Sequence, residues 1–173
     1  MATTPSIHIV RDRFHLAWDP AIPPIETVPS GSIVTFDLLD ASGGQLTATS
    51  TTADAQGDGE VCGTAIETPT QAILRLTARP DLHLRAPEFI TAPGPLAETP
   101  VGRRYATNGI GPDLLGAARD AVHRMTDCLG REHGLAAADA YLLCSVAIDL
   151  RISEIVDMPN NVVTAHCPLS IFD

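Results

Sequence analysis

The residues best placed to do chemistry lie in one short stretch, QGDGEVCGTAIE at residues 56–67. Asp58 and Glu60 alternate along it, and in an extended backbone alternate side chains project to the same face. Gly57, Gly59 and Gly63 strip the neighbouring positions of bulk, so a ligand or another backbone can come close to the main chain. Two carboxylates on one face of a thinned strand suit metal ligation or general acid–base work. A turn carrying solvated acids into a core strand would use the same residues, and spacing alone does not separate the two.

Three more residues have suitable chemistry. His15 heads a Pro-rich stretch three residues ahead of Trp18, where an imidazole serves either as a ligand or as a packed side chain. Asp37 follows Phe36 near the end of a β-branched run, and Asp40 opens the turn DASGG. An Asp before Ser-Gly-Gly is first an Asx-turn residue, and second a carboxylate held at a strand end. Asp149, Arg151, Glu154 and Asp157 crowd a helix-to-strand passage, where a structural Arg–carboxylate network is expected before chemistry. The four cysteines (Cys62, Cys128, Cys144 and Cys167) form no CxxC pair, and Cys62 has no basic neighbour to activate it; these thiols are expected to be buried and reduced.

Composition narrows the function. The 173 residues carry a net charge of −10, which argues against nucleic acid and anionic membrane as partners. All eleven basic residues are arginines, so mechanisms built on a catalytic lysine are excluded. No arginine falls between Arg13 and Arg75, whereas Asp19, Glu26, Asp37, Asp40, Asp54, Asp58, Glu60 and Glu67 all do. Those acids need water, a cation or raised pKa values. Phosphate loops, GxSxG and HExxH are absent. With no apolar leader and no membrane-length run, the expectation is a soluble cytoplasmic protein.

The elements that would position these residues read as α+β, in a single domain over 1–173. An N-terminal β part (1–55) holds strands at 6–13 and 32–39 joined by a Pro-rich extended loop, then a Thr-rich linker at 45–55. The 56–110 segment holds the carboxylate stretch, a strand at 71–78, a further strand within 82–90 and a Pro-rich loop. The 111–173 segment is a two-helix hairpin with closing strands at 151–157 and 162–169. Its first helix starts with Pro112 at the first helical position and Asp113 in the first turn. Leu114, Leu115, Ala118, Ala121, Val122, Met125 and Leu129 keep its 3.6-residue period, and Gly134 stops it. Leu142, Leu143, Val146 and Ala147 are expected to face inward from the second helix.

Several stretches together resemble the acetamidase/formamidase family: HLAWDPAIPPIETVPSGSIVTFDLLDASGGQL, QGDGEVCGTAIETPTQAILRLTAR, YATNGIGPDLLGAARDAV and AYLLCSVAIDLRISEIVDMPNNVVTAHCPLSIF. The resemblance implies hydrolysis of short aliphatic amides to ammonia and a carboxylate. It further implies a β-rich sandwich-like part with a C-terminal helical segment, a homo-oligomer and a bound divalent metal, zinc or calcium. Carried over residue by residue, it makes His15, Asp37, Asp40 and Asp58 metal ligands, with Asp58 and Glu60 catalytic. Family members are longer and carry a Gly-Asp-Gly-His-Ala run ahead of QGDGE, where this chain has Ser-Thr-Thr-Ala-Asp-Ala at 50–55. The two halves are therefore expected to be joined across a deletion between Ala55 and Gln56. Two readings follow: a compact amidase in which Glu60 takes the proton of an activated water, or a non-catalytic relative serving binding or assembly.

Overall fold

In a computed structural model, the structure describes residues 6–13, 19–38, 69–91, 102–156 and 158–173. These fall into two compact units, one ending at His83 and the other beginning at Leu84.

The first unit is organised on β2 (Ser32–Leu38), the β-branched run SIVTFDL. β1 (Ser6–Ile9) pairs with it in parallel and β3 (Thr70–Leu76) pairs antiparallel on its other side, giving the order β1-β2-β3. Parallel neighbours need a long connection, and residues 10–31 with their four prolines supply it. Gly31 enters β2 at φ 89, a left-handed value that only glycine adopts freely. Its N–H donates to the Leu76 carbonyl at 2.8 Å, which ties the start of β2 to the end of β3. Val34 and Ser32, on one face of β2, are buried. Thr35 and Asp37 alternate with them and face the other way, opposite Ile73 and Gln71 of β3.

The second unit stacks two helices on an antiparallel sheet of order β4-β5-β7-β6. Its strands are β4 (Glu88–Ile90), β5 (Arg104–Gly111), β6 (Asp149–Glu154) and β7 (Asn161–Pro168). α1 (Leu114–His133) and α2 (Ala137–Ala147) lie between β5 and β6 in sequence. Ala117, Ala121, Met125 and Leu129 of α1 pack with Ala140 and Cys144 of α2 onto Val163, Ala165 and Cys167 of β7. Small residues bring the first helix unusually close to β5. A Cβ placed on Gly109 would lie 1.8 Å from the Ala117 carbonyl oxygen, so only glycine fits there. Thr107 Oγ1 donates to the Ala121 carbonyl at 2.9 Å, and Arg124 donates to the Asn108 carbonyl, locking helix to strand.

Several expectations are corrected here. Helix α1 begins at Leu114, so Asp113 is its N-cap, accepting from the Gly116 N–H at 2.6 Å, and Pro112 lies outside the helix. Gly134 ends it as expected, at φ 67 with its N–H on the Gly130 carbonyl. On α2, Leu143 packs against the core as expected and Ala147 is half-buried, but Leu142 is 65% and Val146 84% exposed, and Ala140 and Cys144 take the buried positions. Its sequence has almost no polar face, so periodicity gives no orientation. The strand sought within 82–90 is only the three residues of β4. Strand β5, second in the sheet and under α1, is a strand that sequence patterning passed over, because Asn108, Gly109 and Gly111 mask its alternation. No helix among the described residues is long and apolar enough to cross a membrane.

Candidate functional site

Of the five residues with expected chemical roles, Asp37 is described; His15, Asp40, Asp58 and Glu60 lie outside the described residues. Asp37 sits near the end of β2, partly buried, between strands on both sides. Its Oδ1 accepts from Gln71 Nε2 at 2.9 Å, the residue directly opposite on β3. Its Oδ2 accepts from His8 Nε2 at 2.9 Å, on β1. His8 pairs with Thr35 in register, so it lies diagonally beside Asp37 on the same face. A carboxylate only accepts, so His8 Nε2 is the donor in this pair.

Those contacts tune Asp37. The hydrogen bond from Gln71, then that from His8, hold its carboxyl below the usual carboxylate range, helped by the field of Arg11. A depressed folded-state pKa stabilises the fold above the unfolded value near ~3.9, and that contribution is lost as pH falls through the folded value. Carboxyl-detected NMR titration is expected to find Asp37 the more acidic in the native chain, moving back up in Gln71→Ala. An unchanged midpoint in that variant would mean that Gln71 does not hold the carboxylate.

Of the four residues expected to ligate a divalent metal, Asp37 is described and His15, Asp40 and Asp58 are not. Asp37 already accepts one hydrogen bond on each oxygen and lies in the positive field of Arg11. Among the described residues, no group of three His, Cys, Asp or Glu side chains is arranged to hold a metal ion. Sequence reasoning missed His8: only its place in an alternating strand was legible, and its partner follows from the parallel register of β1 on β2.

A second polar cluster lies on the face of the other sheet away from the helices. Thr164 Oγ1 donates to Asn108 Oδ1 at 2.7 Å and meets Ser153 Oγ at 2.6 Å. Arg104, 8% exposed, reaches Asp149 at 3.4 Å. The network expected around Arg151 thus draws Asp149 to Arg104 on β5 instead, and Asp157 lies outside the described residues. Burial pushes the His166 imidazole pKa down, as do Arg151 and Arg104. The described thiols are not nucleophiles: burial pushes Cys128 and Cys167 up to about 11 and raises Cys144 as well.

A mixed α+β chain of two sheets and a helical hairpin, with a polar carboxylate-bearing strand, defines the class of protein. Residues 53–173 match the Acetamidase/Formamidase family, and the chain belongs to that family. The match begins just ahead of the expected join between Ala55 and Gln56 and includes the QGDGE stretch. No curated protein sequence matches the chain.

Solved structures share the fold. The chain is similar to an acetamidase from Bacillus halodurans, with 16% identity and a TM-score of 0.61 over 95% of this chain and 98% of that one. A predicted acetamidase/formamidase from the thermophile Thermoanaerobacter tengcongensis gives 12% identity and 0.60, covering 98% of each chain. An acetamidase from Yersinia enterocolitica gives 12% and 0.64 over 99% of this chain and 94% of that one.

Proposed function

We propose that the chain is a hydrolase cleaving the C–N bond of short linear amides, of the formamide or acetamide type, to ammonia and a carboxylate. The observation that carries this reading is the family match over residues 53–173, which takes in Asp58 and Glu60. An amide resists water because its carbonyl is a poor electrophile and its nitrogen a poor leaving group. Catalysis needs a base to deprotonate water and an acid to protonate the departing nitrogen, and one carboxyl can do both in turn. Glu60 is assigned that shuttle, and Asp58, two positions away in sequence, is assigned to hold the water or the amide N–H. A divalent metal held by His15, Asp37, Asp40 and Asp58 would polarise the carbonyl and lower the pKa of the attacking water. Asp37, hydrogen-bonded by Gln71 and His8, is held below the usual carboxylate range.

The partner side of the proposal is a homo-oligomer. Exposed apolar side chains support it: Leu150 and Ile152 on β6, at 49% and 57% exposure.

Ammonia release from formamide and acetamide by purified protein, beside an Asp58→Asn variant and metal analysis of both, tests the reading. Ammonia that depends on Asp58 is the expected outcome, and a stoichiometric divalent metal lost with Asp58→Asn would extend the mechanism to a metal-activated water. A folded protein that releases no ammonia from either amide would leave the non-catalytic relative standing.

A further inference from the structure

Among the described residues strand β6 ends its sheet, and one side of it has no neighbouring strand. Its first five residues are all exposed, and a bulge between Ile152 and Glu154 ends its regular run. Leu150 and Ile152, exposed at 49% and 57%, turn toward the helix side of the sheet. There they line an open groove of about 300 Å³ with Leu114, Leu115 and Ala118 of α1. The Arg151 side chain, between them, makes no hydrogen bond or ion pair among the described residues. An open edge strand carrying exposed apolar side chains is a liability for a protein that stays single, since its unpaired backbone groups invite strand addition.

We propose that the open edge of β6 is the docking surface for a second copy of this chain, the two strands pairing antiparallel about a two-fold axis at Leu150. This rests on the homo-oligomer put forward above and names its surface. The register follows from the sequence Ile148-Asp149-Leu150-Arg151-Ile152. Reversed on itself about Leu150, it sets Leu150 against Leu150, Ile148 against Ile152, and Arg151 against Asp149, twice each for the last two. Asp149 is free to meet a second cation, its side chain being 61% exposed beyond the long contact to Arg104. Residues 148, 150 and 152 share one face, so the two apolar grooves meet on the helix side while both Arg–Asp pairs lie on the other. The bulge after Ile152 stops the pairing where the complementarity ends. Self-complementarity of this kind is what an isologous two-fold interface requires.

The test is a cross-link. Directly opposed Cα atoms in an antiparallel pair lie roughly 4.5–5.5 Å apart, within disulfide reach. A Leu150→Cys protein is expected to form a covalent dimer under mild oxidation at least ~10-fold faster than Leu142→Cys, on the exposed face of α2, or the parent chain. Arg151→Asp is expected to raise the dimer dissociation constant ~10-fold or more, by setting like charges opposite each other, and Asp149→Arg with Arg151→Asp to restore it. Circular dichroism of each variant confirms folding. An oligomer in sedimentation whose Leu150→Cys form cross-links no faster than Leu142→Cys would overturn the β6 surface while leaving the homo-oligomer intact. A parent chain that sediments as a monomer at every concentration would overturn both.

Discussion

Gly109→Ala is expected to lower the melting temperature of this protein by at least ~6 °C. A methyl group there would sit 1.8 Å from the Ala117 carbonyl oxygen and 2.6 Å from the Ala121 nitrogen, both main-chain atoms of α1. No side-chain rotation relieves such a clash; the helix itself has to lift off β5. Lifting it strains the Thr107 bond to the Ala121 carbonyl and the Arg124 bond to the Asn108 carbonyl. It also opens the layer of Ala117, Ala121, Met125 and Leu129 against β7. Overpacking of this severity costs about 3 kcal/mol or more, and each kcal/mol moves the midpoint by ~2–4 °C in a chain of this size. Thermal unfolding followed by circular dichroism measures it. A midpoint within ~2 °C of the parent would show that α1 can move away from β5 without penalty. Gly111→Ala, with open space around its missing Cβ, is the matched comparison.

The second large effect is chemical. Glu60→Gln is expected to cut kcat for formamide by ~100-fold or more while leaving KM and the far-ultraviolet spectrum unchanged. Gln keeps the shape of Glu and loses the ability to take a proton, and a positioned general base contributes ~10²–10⁴ to rate. A loss confined to kcat is the signature of a group acting in the transition state, whereas a loss in KM would mark a binding role. If Glu60→Gln keeps kcat within ~3-fold of the parent, the proton shuttle lies elsewhere, and the carboxylate stretch is left with a structural part.

Asp37 shows how far the residues themselves could lead. Its place at the end of a β-branched run was legible, and so was its membership of a block without arginines. That Gln71 and His8 would hold it was not, because both come from strands distant in sequence. Gln71 meets it through antiparallel pairing and His8 through parallel pairing, at separations of 34 and 29 residues. A parallel neighbour leaves no turn signature near the residues it joins.

The helical half divides in the same way. The start and stop of α1 were written locally: Asp113 supplies a side-chain acceptor, and Gly134 supplies a left-handed residue. These effects act within one turn, so sequence alone located the helix and missed only which residue was the cap. Its buried positions were partly legible too, with Ala121, Met125 and Leu129 found and Ala117 and Cys128 overlooked. Leu114 and Leu115 kept the apolar period yet line an open groove, because α1 covers β5 and β7 and leaves β6 bare.

By itself, then, the sequence determined the α+β class, the helix boundaries within two residues, the absence of lysine chemistry and the family to which the chain belongs. Those properties depend on residue type and near-neighbour spacing, which a linear reading contains. Tertiary structure alone decided that glycine-rich residues 104–111 form a strand beneath α1, which face of α2 is exposed, and which partners hold Asp37. Each of these is settled by contacts between segments far apart in the chain. Their free energy comes from burial and hydrogen bonds made only once the sheets have assembled.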